Sequence, residues 1–157
     1  MMKIAHADVP GRLRSLPTRL INQTALLAAR ATEQAMADTG SRRYHYAVLT
    51  TLRESGAASQ AELGRRTGID RSDMVAVLND LVGRGFAERD ADPEDRRRNI
   101  VTLTEAGSAH LDDLDRRLDR AQDELLGALS AAERRTLVGL LTRILDAHTE
   151  SAARDRA

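Results

Sequence analysis

The densest chemistry in this sequence is a run of three guanidinium groups, Arg96-Arg97-Arg98, set directly behind the acidic turn Asp92-Pro93-Glu94-Asp95. A guanidinium is planar and permanently charged, and it forks onto phosphates, carboxylates and the acceptor edge of guanine. A second polar group lies upstream, where Arg71, Ser72, Asp73 and Asn79 are interleaved with Met74, Val77, Leu78 and Leu81, and Ser59-Gln60 precede them. Neither group has the makings of an active site. The chain has no cysteine to act as nucleophile, redox sensor or thiolate ligand. It also lacks a phosphate-binding glycine loop and any carboxylate pair that the pattern forces together. His110, Asp113 and His148 are the N/O donors a metal would draw on, but they have no tight ligand spacing. No catalytic residue, metal or cofactor is therefore expected.

Formal net charge is zero although 31% of residues are charged, so attraction to a polyanion has to come from local placement of charge. Lys3 is the only lysine; the arginine bias fits a GC-rich genome better than it argues for phosphate recognition. Aromatics are 2% and tryptophan is absent, which leaves packing to Leu, Val, Ile and Ala and favours helices. A length of 157 residues suggests one domain. There is no signal-peptide apolar region and no apolar run near the ~18 residues of a membrane span, so a cytoplasmic protein is expected.

The elements that must position the polar groups follow from spacing. Leu13, Leu16, Leu20, Leu27, Ala28 and Ala31 give a long first helix over 13–37, with Pro17 tolerated only near a start. Tyr44, Val48, Leu49 and Leu52 mark a second helix over 42–53, stopped by Gly56. Ser59-Gln60-Ala61-Glu62 is a capping box that opens a short third helix, ended by Thr67-Gly68. Asp70 then caps a helix over 71–84, with Asp73 in its first turn and Gly85 as its stop. Phe86–Asp90 and Asn99–Leu103 have extended character on either side of the acidic turn and read as a β-hairpin. Thr104-Glu105-Ala106-Gly107 opens a long helix through Leu111, Leu114, Leu118, Ala121, Leu125 and Leu129. A second capping box, Ser130 to Glu133, starts a last helix with Leu137, Leu140, Leu141, Ile144 and Leu145 on one face.

Two helices joined by a short glycine-bearing turn and followed by a hairpin make a winged helix-turn-helix, so the fold class is mainly α with a small β-hairpin wing. The helix from Arg71 suits the ~12 Å major groove of duplex DNA. Arg71 would fork onto guanine, Asn79 would read a base edge or a phosphate, Val75 or Ala76 would touch a thymine methyl, and Ser72 shares their exposed side. Asp73 has two readings, a first-turn carboxylate or an acceptor from cytosine. Ser59 and Gln60 are placed to donate to phosphate, Ser59 also serving as a cap. Strand alternation turns Arg96 and Arg98 one way and Arg97 the other. Arginines on a hairpin tip suit the narrow minor groove, while the plainer readings are a solvated charge run or an arginine held by Asp92 or Asp95. On charge grounds the alternative is a winged-helix module that binds another protein without binding DNA, and a lesser one is a metal-responsive regulator using His110, Asp113 and His148.

This order of elements, with Gln60-Ala61-Glu62-Leu63-Gly64, Leu81-Val82-Gly83-Arg84-Gly85-Phe86, Asp92-Pro93-Glu94-Asp95-Arg96-Arg97 and Leu103-Thr104-Glu105-Ala106-Gly107, resembles the MarR family of bacterial regulators from Leu16 to His148. The resemblance implies a homodimeric, ligand-responsive repressor on a pseudo-palindromic DNA site. One domain over 1–157 would then hold dimerisation helices at 12–38 and 108–148, a DNA-binding lobe at 42–104 and a frayed tail at 149–157. It further implies an effector cleft facing the second helix, where Tyr44, His45 and Tyr46 with Arg19, Asn22 and Gln23 would receive a small phenolic or anionic molecule. The other reading of Tyr44 to Tyr46 is a core tyrosine beside a satisfied histidine. The family often carries Thr and Arg where Val75 and Ala76 stand, so fewer base contacts and more reading of DNA shape are implied.

Overall fold

In the computed structural model of the chain, which describes residues 9–95 and 99–154, Pro17 decides how the first helical segment is built. A single turn, α1 (Gly11–Arg14), is followed by α2 (Pro17–Met36) with the proline in its first turn. Proline lacks an N–H and clashes with a preceding helical turn, so it starts a helix and cannot sit inside one. The single helix read from Leu13 is therefore split. α2 ends in a 3₁₀ turn over Ala37–Thr39, and Gly40 reverses the chain at φ 68°.

The helix-turn-helix forms as its caps dictate. α3 (Arg43–Ser55) stops at Gly56, α4 (Gln60–Thr67) at Gly68, and α5 (Arg71–Gly83) begins on the Asp70 cap. The hairpin strands are β2 (Ala87–Ala91) and β3 (Asn99–Leu103), paired antiparallel with Ala87 opposite Leu103 and Ala91 opposite Asn99. A further strand, β1 (Ala58–Ser59), pairs with β3 and places β3 centrally in a three-stranded sheet. Two residues are too few for a period-2 pattern, which is why this strand is not legible in sequence. Val48, Leu49 and Leu52 of α3, Leu63 of α4, Met74, Leu78 and Leu81 of α5, and Val101 of β3 make one buried cluster.

α6 (Glu105–Leu125) adds Leu111 and Leu114 to that cluster. It ends before Leu129, which the three-four spacing includes; the Leu129 N–H instead donates to the Leu126 carbonyl in the turn at 2.9 Å. α7 (Ala131–Arg154) starts on its capping box, with the Ser130 N–H donating to Glu133 Oε2 at 2.7 Å. Its backbone stays helical past Thr149, where fraying was expected, since Ala, Glu and Arg are good helix formers. The chain divides into two compact units, Met1–Ala121 and Gln122–Ala157. In the second, no side chain among the described residues from Ala131 to Thr149 is buried.

Candidate nucleic-acid interface

Both helices of the helix-turn-helix begin with satisfied backbone donors, and this fixes what their first turns present. At α4 the Ser59 Oγ accepts from the Glu62 N–H at 3.3 Å and donates to Glu62 Oε2 at 3.1 Å, while the Ser59 N–H reaches the same carboxylate at 3.0 Å. Those hydrogen bonds, from the Ser59 backbone above all, hold the Glu62 carboxyl below its usual range. Ser59 is only 4% exposed and its hydroxyl is engaged with Glu62, so the capping role expected of it is the one its side chain fills in this structure. Gln60, half-buried, keeps its place at the mouth of the helix. At α5 the cap is Asp70 alone, whose Oδ1 accepts from the Ser72 N–H at 2.8 Å, the Asp73 N–H at 3.1 Å and the Ser72 hydroxyl at 2.7 Å. Asp73 contributes its backbone N–H to that cap, and its side chain lies on the exposed face.

Helical periodicity then divides α5 cleanly. Met74, Val77, Leu78 and Leu81 are buried; Arg71, Ser72, Asp73, Val75, Ala76 and Asn79 are all exposed. Val75, at 39% exposed, is a large apolar side chain left on an otherwise wet face. Arg71 has no ion-pair partner among the described residues, which leaves its five donors unengaged. A concavity of about 680 Å³ brings the start of α4 (Ser59, Gln60), the start of α5 (Arg71) and the first residue of β3 (Asn99) to one surface. Asn99 does not stand out in the sequence as a contact residue; a polar side chain opening a β-branched strand beside the arginine run is the signal it carries there. Arg96, Arg97 and Arg98 lie outside the described residues, between the Asp92 turn, where the Glu94 N–H donates to Asp92 Oδ1 at 2.9 Å, and Asn99.

Of the expected effector residues, Tyr44 and His45 line one concavity of about 530 Å³ together with Arg42, Arg43, Asp73 and Asp80. Successive helical residues point about 100° apart, and the three on α3 take different partners. The Tyr44 hydroxyl accepts from Arg43 Nη2 at 3.1 Å, His45 Nε2 meets Asp80 of α5 at 3.1 Å, and the Tyr46 hydroxyl donates to Asp115 of α6 at 2.8 Å. Burial foremost, then the Asp115 bond, pushes the Tyr46 hydroxyl pKa up. Arg19 is half-buried, and Asn22 and Gln23 are exposed on α2. A second cleft, about 960 Å³, is lined by α2 and the loop after it: Ala28, Ala29, Glu33, Met36, Ser41 and Arg42 among others. Of the metal donors considered, His110 Nε2 is 2.8 Å from Ser41 Oγ and Asp113 pairs with Arg116 and Arg117, and no acidic or histidine cluster fit for a metal exists among the described residues.

A family model described as "MarR family" matches residues 39–98, from the loop after α2 to the wing. The HTH-type transcriptional repressor NicR of Pseudomonas putida is 32% identical over 114 residues, covering 73% of this chain and 72% of that protein. Among solved structures, the transcriptional repressor CouR bound to a 23-mer DNA duplex is similar with a TM-score of 0.78 at 29% identity, over 86% of this chain and 96% of that one. BpsR of Bordetella bronchiseptica, whose DNA binding is regulated by 6-hydroxynicotinic acid, gives a TM-score of 0.71 at 28% identity, over 81% and 96% of the two chains. No helix among the described residues is long and apolar enough to cross a membrane. With a DNA-bound relative sharing the fold and a repressor sharing the sequence, this chain belongs to the MarR family of transcriptional regulators.

Proposed function

We propose that the chain acts as a cytoplasmic homodimeric repressor that places α5 in the major groove and the β2–β3 wing in the minor groove, and that a small aromatic acid releases it. The observation that carries this reading is the exposed row on α5, Arg71, Ser72, Asp73, Val75, Ala76 and Asn79, standing beside Gln60 and Asn99 with its apolar side locked in the core. Arg71 and Asn79 serve base edges or phosphates, Val75 and Ala76 a thymine methyl, and Arg96, Arg97 and Arg98 the minor groove. For the effector, the cleft offers apolar Ala28, Ala29 and Met36 with two guanidinium groups, Arg42 and Arg43, against one carboxylate, Glu33, a lining suited to a ring carrying an anion. Tyr44 and His45, two of the residues expected to receive the effector, line the neighbouring concavity that shares Arg42 and Arg43 with this cleft.

Dimerisation is supported by large apolar side chains left in solvent at both ends of the chain: Leu20, Ile21, Leu26 and Leu27 on α2, and Leu140, Leu141, Ile144 and Leu145 on α7. Apolar rows of this kind mark association surfaces. Two lobes related by a two-fold axis require a pseudo-palindrome with half-site centres about one turn, ~10 bp, apart.

The test is an anisotropy titration of a labelled duplex from the chain's own upstream region across a salt series. If each subunit neutralises about four phosphates, log affinity falls against log salt with a slope near −7, roughly −0.9 for each of about eight contacts. Arg71→Ala relaxes sequence preference at one position by about 1–3 kcal/mol, whereas replacing Arg96, Arg97 and Arg98 by alanine weakens all duplexes and flattens the slope. A slope shallower than about −2 for the parent protein contradicts this docking.

A further inference from the structure

Arg84 closes α5, and an arginine at a helix C-terminus ordinarily serves the last carbonyls of its own helix. Arg84 does not. Its Nη2 donates to the Thr39 carbonyl at 2.7 Å, and its Nη1 donates to the Gly40 carbonyl at 3.1 Å and to Ser41 Oγ at 3.2 Å, all on the loop between α2 and α3. The same Nη1 lies 3.4 Å from Asp80 Oδ2, one turn back on α5, and the guanidinium stacks over the Phe86 ring at 4.6 Å. Gly40 is shaped to this contact, since it holds φ 68° and a Cβ there would come within 3.3 Å of Arg84 Nη2.

A second chain of contacts runs in parallel. The Arg42 N–H donates to His45 Nδ1 at 3.0 Å, which leaves the proton on Nε2 to be donated to Asp80 at 3.1 Å. Ser41 Oγ, accepting from Arg84, is also hydrogen-bonded to His110 Nε2 at 2.8 Å, and the His110 ring stacks on Phe86 with centroids 4.2 Å apart. Thus one short loop is tied to the end of α5 directly through the Arg84 fork and again through His45 and Asp80. Gly40, Ser41 and Arg42 of that loop also line the 960 Å³ cleft, together with residues of α2.

We propose that Arg84 is the positioning residue that relays the state of the cleft-lining loop Thr39–Arg42 to the recognition helix α5. A molecule entering the cleft presses on one side of the loop while the guanidinium fork grips the other, so the loop carbonyls cannot shift without moving the fork. The fork is fixed to α5 through its own backbone and Asp80. The inference rests on the cleft being the effector site, and it names the residue through which occupancy reaches DNA.

The experiment is a coupling cycle between loop and clamp in the full-length chain. Gly40→Ala perturbs the loop, and Arg84→Met removes the fork while keeping an apolar stem. The readouts are amide exchange of α5 (Met74–Leu81) without DNA or effector, and affinity for the upstream duplex. Coupling between sites usually amounts to about fivefold or more in an equilibrium. With Arg84 present, Gly40→Ala accelerates α5 exchange and weakens the duplex by at least about fivefold; in Arg84→Met the same change alters each by less than about twofold. Arg84→Lys keeps the charge, loses the fork, and behaves as Arg84→Met does. If Gly40→Ala does not fold, Ser41→Ala takes its place, removing one contact to Arg84 and one to His110. Equal effects of the loop change with and without the fork, or no effect on α5 when Arg84 is present, overturn the proposal. Because exchange is read without DNA, it decides the matter for Arg84 even where the parent protein ignores every duplex, an outcome that instead defeats the repressor reading.

Discussion

Replacing Gly107 by alanine looks harmless from the sequence, since Gly107 is in a helix and alanine favours helix by about 1 kcal/mol over glycine. The structure reverses the sign. Gly107 is buried in the first turn of α6, where its N–H donates to Thr104 Oγ1 at 2.9 Å. Thr104 in turn donates its hydroxyl to the Gly85 carbonyl at 2.7 Å and its N–H to the Phe86 carbonyl at 3.2 Å. A Cβ on Gly107 would sit 1.9 Å from that Phe86 oxygen and 2.9 Å from Leu103 Cδ1. The first obstacle is backbone, so α6 must back away from the start of the wing or the Phe86 carbonyl must turn and give up Thr104. Overpacking of this kind costs about 1–3 kcal/mol and the lost hydrogen bond about 1 more. After the gain in helix propensity, a net loss of about 1–3 kcal/mol remains. At about 2–4 °C per kcal/mol for a chain of this size, Tm falls by about 2–12 °C. Calorimetry at one fixed protein concentration measures it, because the Tm of any protein that self-associates depends on concentration. Gly83→Ala, where nothing lies within 4 Å of the new Cβ, is the internal control and leaves Tm level or slightly raised. A Gly107→Ala protein as stable as the parent would show that α6 and the wing are not in the close contact described.

Three further outcomes are expected. Hydrogen bonds from the Ser72 hydroxyl and the Asp73 N–H hold the Asp70 carboxyl below its usual value, so the cap acts in full above the unfolded-state pKa and is lost as pH falls through the lower folded one. Asp70→Ala therefore lowers Tm at pH 7 and weakens duplex binding, and its deficit against the parent closes in acid; a deficit independent of pH contradicts the cap. Burial foremost lowers the pKa of both His45 and His110, with Arg84 opposing their charge in each case. The unfolded chain then takes up protons first, so stability falls as pH drops below about 6.5 and down through the folded values. In the variant with His45→Gln and His110→Gln, urea unfolding at pH 7.5 and 5.5 loses most of that difference. Finally, Leu141→Asp with Leu145→Asp charges a face that is 41% and 68% exposed at those positions; sedimentation should give half the parent mass, and an unchanged dimer places the interface elsewhere.

The local elements are legible in the sequence because their signals are covalent neighbours. Capping boxes at Ser59 and Ser130, the Asp70 cap and the glycines at 56, 68 and 85 set the helix ends by backbone chemistry that needs no distant partner. The period of α5 likewise sorts Met74, Val77, Leu78 and Leu81 inward and the Arg71 row outward by spacing alone. From these signals follow the winged helix-turn-helix and the face offered to DNA.

What the sequence leaves open depends on contacts between residues far apart along the chain. A two-residue strand at Ala58 exists because β3 is there to pair with it. Ser59 can be read as cap or phosphate donor until the fold buries it with its hydroxyl on Glu62, and Tyr44, His45 and Tyr46 scatter to Arg43, Asp80 and Asp115 because α5 and α6 flank α3 on different sides. Arg84 and Gly107 belong to stretches that carry the family resemblance, but nothing local says what either one touches. The fork of one meets carbonyls more than forty positions earlier, and the bare Cα of the other is set by a backbone oxygen on the neighbouring strand's approach. Periodicity and caps report what a segment can become alone; which polar atoms meet across the fold is decided only when the core brings the segments together.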